Sequence, residues 1–316
     1  MTAFARNACS RIASGAPGAP LFRRVSLKSK DVVASYLFIL PAFVLVVVLL
    51  VVPMLQNIYY SFFDWDGLSK PVLIGLRNFA ALFQDRVLAG SMMNTVVWVV
   101  FTLVFPVMGG LLVAVFVTGV RGENFFKSIF FIPLTISFVA TGTIWTYMFS
   151  RELGVLNGTF KLLGLPIKLS WLTSVPLNTF SMLMSWTWQQ MGTNMVMFLM
   201  GLATIPTDPI EACVLDGANG WQTFRHVKFP MLAPITTVVI TMAMVNGFKV
   251  FDIIYVMTRG GPYQSSETLA ISMFRETFTL FHMGYGAAIS VLLSVIVIVI
   301  SAAYIRRMTR RDLLYY

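Results

Sequence analysis

Two ionisable side chains, Lys249 and Asp252, interrupt an otherwise apolar run between Met231 and Met257. Charges held at that kind of position face a protein interior or a water-filled cavity, and a three-residue spacing places both on one face of a continuous helix. Three chemistries fit the pair: a structural ion pair, contact with a polar solute, or ion coupling in proton- or sodium-driven transport. Upstream, Trp186, Gln189, Gln190 and Thr193 share one helical stripe, with Asn194 beside it. An aromatic face ringed by amide donors and acceptors suits a sugar, which offers apolar CH faces and hydroxyls. Amides also hold helices together in membranes, and tryptophan marks membrane interfaces. Counted at about 1.5 Å per helical residue, Trp186 to Gln190 lie roughly 10 to 17 Å deep and Asn246 with Lys249 roughly 12 to 17 Å, so the two patches could face one cavity.

A third pattern occupies the polar stretch 205–230. Asp208 is placed to cap a helix, Pro209 suits its first position, and Glu211 is spaced to reach back as in a capping box. Gly217 then ends a helix of barely two turns. Asn219 can cap a second helix, whose Trp221, Phe224 and Val227 form an apolar face before Pro230 stops it. The expected object is a helical elbow with acidic groups, Glu211 and Asp216, on its first helix and its turn. Taken alone, such an elbow fits amphipathic helices lying on the lipid surface.

Several functions are excluded by what the residues do not supply. No lysine follows a glycine, so the chain has no phosphate-cradling loop of the Gly-Lys type. Only His226 and His282 are available, which excludes the His-x-x-x-His zinc arrangement, and Cys9 and Cys213 form neither a metal site nor an expected disulfide. A membrane-embedded enzyme would need nucleophiles, bases or metal ligands clustered in the apolar runs, and one charged pair is not that. The net charge of +10 is not arranged as a basic stripe with interleaved aromatics, so no nucleic-acid partner is expected.

The elements that must position these residues are membrane helices. With 57% hydrophobic and 11% charged residues, the chain carries more apolar surface than a soluble core can absorb. Six apolar runs are long enough to cross about 30 Å of hydrocarbon: 32–52, 95–119, 129–148, 179–202, 231–257 and 285–305. The stretch through Lys30 is basic, but the apolar run after it has the length of a full span, not that of the short core of a signal peptide. Arg6, Arg11, Arg23, Arg24, Lys28, Lys30, Arg121, Lys127, Arg225, Lys228, Arg306, Arg307, Arg310 and Arg311 fall on one side, fourteen cations against eight on the other. That bias predicts both termini in the cytoplasm, with the elbow cytoplasmic and the segments around Asp64–Gly67, Arg151–Ser174 and Gly260–Pro262 external.

Glu211-Ala212-Cys213, Asp216-Gly217-Ala218, Phe224, Pro230 and Pro234 resemble the cytoplasmic signature of bacterial ABC importer permeases. Asn246 to Thr258, continuing into Gly260-Gly261-Pro262, is similar to the fifth span and external turn of one permease of the maltose-type carbohydrate importers. The similar regions cover most of 91–305. Cys213 stands where the signature has its second alanine, a departure that a small apolar thiol accommodates; Val227 and Phe229 are milder ones.

The resemblance implies an all-α integral membrane protein with six transmembrane helices, the type I ABC importer transmembrane domain. It divides the chain into a basic arm (1–31), a first span with an external segment (32–90), the transmembrane domain (91–305) with coupling helices at 205–230, and a basic tail (306–316). It further implies a second related permease, an ABC ATPase dimer that binds ATP and magnesium, an external solute-binding protein, and a sugar-like solute, in a bacterial plasma membrane whose lipid surrounds the spans. Glu211 and Asp216 would meet cations or donors of the ATPase, Gly217 would supply the turn, and Ala212 and Ala218 would allow close approach. Within that picture Trp186, Gln189, Gln190, Asn194, Asn246, Lys249 and Asp252 are the candidates for the solute path.

Overall fold

The structure, a computed structural model, describes residues 29–312, with side chains from 36 to 308. Most of the expected basic arm, Cys9 included, and the end of the tail lie outside the described residues. The chain divides into two units, Met1–Met54 and Leu55–Tyr316. The first holds helix α1 (Ser29–Val46), with Pro41 inside it, and a π-helical stretch, Val47–Val51; α2 (Val52–Tyr60) begins there and lies mostly in the second. Branched aliphatic side chains fill much of this segment, and Tyr36–Tyr60 is a predominantly apolar helical segment of 25 residues, enough for a bilayer. Only helices and closed barrels satisfy their backbone groups in hydrocarbon, so apolar runs of this length must be helical.

In the second unit a small hairpin, β1 (Phe63–Asp64) and β2 (Val72–Leu73), pairs Phe63 with Leu73 and Asp64 with Val72. After it come α3 (Arg77–Leu82), α4 (Arg86–Val117), α5 (Glu123–Thr135), α6 (Phe138–Met148), α7 (Val155–Leu162) and α8 (Leu177–Ala203). Next are α9 (Asp208–Leu215), α10 (Gly220–Thr223), a π-helical turn Phe224–Lys228, α11 (Phe229–Met231), α12 (Ala233–Phe248) and α13 (Asp252–Met257). The chain closes with α14 (Leu269–Phe274), a π-helical turn Arg275–Thr279, and α15 (Met283–Asp312). Four helical segments are long and apolar enough to cross a membrane, and two bent pairs bring the number to six.

Helices α4 and α8 form the centre of the second unit. Asp85 fixes the start of α4: its Oδ1 accepts from the backbone N–H of Val87 at 2.8 Å and of Leu88 at 3.2 Å, while Oδ2 accepts from the Tyr285 hydroxyl at 2.9 Å. The two helices approach closely at Gly110, where a Cβ would lie 2.5 Å from that of Asn194. Trp98, Met182, Leu183, Ile253 and Ile254 pack into one core cluster around this pair. Helix α5 is equally close to α8, since a Cβ at Gly192 would lie 2.3 Å from the Phe130 carbonyl oxygen.

Two of the expected spans are broken. The third bends by 102° between α5 and α6, where Ile136 turns to extended backbone and the Ser137 hydroxyl caps α6 by accepting from the Ala140 N–H. The fifth, expected as one helix over 231–257, stops at Phe248; Lys249 and Phe251 leave helical geometry before α13 begins at Asp252. Thr268 donates its hydroxyl to the carbonyl of Val250 inside that break, which satisfies that carbonyl within the protein.

Candidate functional site

The elbow follows α8 directly, with a 78° bend between α8 and α9. The expected capping box at Asp208 and Glu211 is not made: α9 begins at Asp208 itself, with Pro209 in its first turn, and no side chain caps it. The box forms eleven residues later instead. Asn219 Oδ1 accepts from the Gln222 N–H at 2.9 Å, and Gln222 Oε1 accepts from the Asn219 N–H at 2.8 Å. Asn219 has the extended backbone a cap requires, whereas the residue before Asp208 is already helical.

Gly217 closes α9 as expected. With φ +85° it lets the Ala218 N–H reach the Cys213 carbonyl and its own N–H reach the Val214 carbonyl, the two bonds of a Schellman motif. Cys213 turns inward, its Sγ 4.0 Å from the Thr223 hydroxyl, so the thiol occupies the seam between the elbow helices. Glu211, Ala212 and Asp216 face outward beside Leu215, which is 88% exposed, and Trp221. A rigid, capped double helix thus presents two carboxylates and large apolar side chains that the chain itself leaves uncovered.

The polar stripe on α8 is divided by the packing. Trp186 is buried, stacked on Phe138 with ring centroids 4.8 Å apart and edge-on to Trp98 at 5.8 Å. Gln189 donates its side-chain amide to the Ile136 carbonyl, across the bend of the third span. Gln190 and Asn194 are also buried, Asn194 against the Gly110 crossing, while Thr193 is half-buried. Among the described residues, no hydrogen bond joins this stripe to Asn246, Lys249 or Asp252. Trp98 Nε1, Trp186 Nε1, Gln189 Oε1 and the hydroxyls of Thr102 and Thr141 are buried without partners.

Residues 106–311 match the family described as "Binding-protein-dependent transport system inner membrane component". This chain belongs to that family. The permease is 34% identical over 282 residues to an osmoprotective compounds uptake permease of Synechocystis, covering 87% of this chain and 99% of the relative. It is 31% identical over 294 residues to an alpha-glucoside transport system permease of Rhizobium meliloti, covering 91% and 86%. Its fold matches a crystal structure of a bacterial alginate ABC transporter in complex with an alginate-pentasaccharide-bound periplasmic protein. The TM-score is 0.80 and the identity 20%, over 90% of this chain and 96% of that one. The permease therefore has the mostly helical type I importer fold and is a transport component.

Family membership also disposes of the ion-coupled reading of Lys249 and Asp252. The expected same-face pairing fails on structural grounds as well. Because α12 ends at Phe248, the residues separating the two charges are not helical, and both side chains are exposed without an ion pair between them. Asp252 instead sits in the first turn of α13, where a carboxylate is favoured by the helix dipole.

Other structured polar sites were not singled out from the sequence. Asn94 and Asn178 each bridge to the 261–267 turn through side-chain amides. Glu267, almost fully buried, accepts from Ser272 at 3.0 Å and faces Arg275 at 3.1 Å. Burial pushes the Glu267 carboxyl up, against the opposing pull of Arg275. Their partners are distant in sequence, so no local pattern announces them.

Proposed function

We propose that this permease is one of two related membrane subunits of an ATP-driven importer for a glycoside, sugar or related polyol. It works with a separate ABC ATPase dimer and an external solute-binding protein. The observation that carries the reading is the elbow: an outward-facing helix pair that follows central helix α8 across a short bend, bearing Glu211 and Asp216 with Leu215 and Trp221 uncovered. ATP and magnesium belong to the ATPase, and its closure moves the elbow as a rigid body. The motion enters the bundle through α8, and packed helices respond by exchanging one arrangement for another. The unpartnered buried atoms of Trp98, Trp186, Gln189, Thr102 and Thr141 support a second arrangement, because an unpaired buried polar group costs about 1–3 kcal/mol.

The solute class is taken from the relatives, whose names specify alpha-glucosides and osmoprotective compounds. Gln190 and Asn246, with Lys249 and Asp252 at the helix break, are the proposed solute contacts, and Trp186, Gln189 and Asn194 shape the wall behind them. The cation bias supports a cytoplasmic position for both termini and the elbow.

Co-purification of the tagged permease tests the assignment. Recovery of a second permease and an ATPase is expected, with the ATPase alone lost on Glu211→Lys. Recovery of an isolated chain that transports solute unaided contradicts it.

A further inference from the structure

Helices α5 and α8 part on the elbow side of their closest approach. At Gly192 an added Cβ would lie 2.3 Å from the Phe130 carbonyl oxygen, which seals the crossing. Beyond it the two helices border an open groove of about 420 Å³. Its polar lining is confined to one end, where Asn124, Lys127 and Ser128 occupy the first two turns of α5. Phe131 and Ile132, deeper along α5, are apolar and exposed, and the α8 side is apolar throughout, from buried Met195 to half-buried Leu199.

The rim carries positive charge with donors to spare. Lys127 is ion-paired with Glu123, but that carboxylate is shared, since its Oε2 also accepts from the Gly119 N–H at 2.9 Å. An ammonium group has three donors, so one carboxylate leaves others free. Arg121, just before α5, is exposed, and among the described residues it has no ion-pair partner.

A sugar needs polar groups around its whole ring, and this groove offers them at one end only. That order, a cationic polar rim above an apolar slot, is the complement of a lipid: phosphate first, acyl chain behind it. The dimensions agree. From Asn124 to Ile132 the groove follows α5 for about 12 Å, close to the roughly 15 Å that one leaflet contributes to a hydrocarbon core of about 30 Å. The cation bias supports a cytoplasmic position for the rim, and the cytoplasmic leaflet carries anionic lipid, which basic pockets between spans attract. Resting on the cytoplasmic placement proposed above, we propose that the α5–α8 groove binds one anionic phospholipid. Lys127, Asn124 and Ser128 hold its phosphate, and one acyl chain lies on Phe131, Ile132 and Leu199. The chain braces the end of α8 that leads to the elbow.

The test reconstitutes the assembled transporter in phosphatidylcholine liposomes with a phosphatidylglycerol probe that carries a photoreactive acyl chain, and maps the labelled peptides. Saturable labelling within 124–132 and 195–199 is expected, displaced by unlabelled phosphatidylglycerol at a concentration about fivefold or more below that of added short-chain phosphatidylcholine. Lys127→Gln should reduce that preference about fivefold, the effect of one cation near an anionic leaflet. Leu199→Trp, which fills the groove, should remove the labelling there while other lipid-facing peptides keep theirs. Equal displacement by the two lipids, or a preference unchanged in Lys127→Gln, overturns the site. So does a photocrosslinking residue at position 128 that captures the second permease. ATP-dependent uptake is read in the same liposomes: uptake without saturable labelling overturns the lipid site alone, and labelling without uptake counts against the importer reading alone.

Discussion

Gln189 of α8 donates its side-chain amide to the carbonyl of Ile136, the residue at which the third span turns through 102°. The bond spans 53 positions of sequence and satisfies a carbonyl that the bend removes from helical pairing. Gln189→Leu should leave that carbonyl unpaired and lower the stability of the purified permease by about 1–3 kcal/mol. A drop in its thermal unfolding temperature checks this; no change would mean that the bend is held by packing alone.

The same helix pair gives a steric prediction. Gly192→Ala drives a Cβ into the Phe130 carbonyl and should separate α5 from α8, with a large loss of folded protein. Gly158→Ala in α7 meets nothing within 4 Å and should be neutral or stabilising by about 0.5–1 kcal/mol. Comparing the two unfolding temperatures separates close approach from glycine content as such.

At the elbow, Gly217→Ala meets no neighbour either, yet φ +85° strains any residue with a Cβ by about 1 kcal/mol. Asn219→Ala removes the side-chain half of the capping box, worth about 1 kcal/mol. Both variants should fold, insert and keep the second permease while weakening ATPase recovery. Undiminished recovery from the double variant would show that the elbow need not be preformed.

Asp66 offers a pH handle outside the spans. The N–H of Ser69, then the N–H of Leu68 and the Ser69 hydroxyl, hold its carboxyl down from 3.8 to about 2. Because the folded value lies below the ordinary one, the stabilisation of the hairpin turn is complete above the ordinary value and disappears as pH falls through about 2. NMR of labelled aspartate should show the low titration, moved upward in Ser69→Ala.

Much of the fold is legible in the sequence because hydrocarbon leaves few alternatives: an apolar run of some twenty residues has to be a helix. The six expected spans are of this kind, while the Gly217 stop and the Asn219 cap are legible from local backbone chemistry. The breaks are not. Residues 249–251 hold neither glycine nor proline, and their departure from the helix is stabilised by Thr268, far along the chain. The third span carries Pro133, but a proline can also sit inside a span without a sharp bend, as Pro106 does in α4. Of the candidate path residues, Gln189 serves the bend and Asn194 serves the Gly110 crossing, roles fixed by neighbours that spacing along one helix does not reveal. At Asp208 and Glu211 the spacing of a capping box is present without the box, because backbone geometry decides whether a side chain can turn back.

The central claim is that cytoplasmic ATP hydrolysis drives transport through the 211–218 elbow. Uptake of labelled glycoside by proteoliposomes holding the full assembly, with ATP inside and binding protein outside, measures it directly. The account predicts accumulation that requires ATP, survives collapse of the ion gradients and is abolished by Glu211→Lys. Accumulation driven by an ion gradient without ATP, or undiminished in Glu211→Lys, would contradict it.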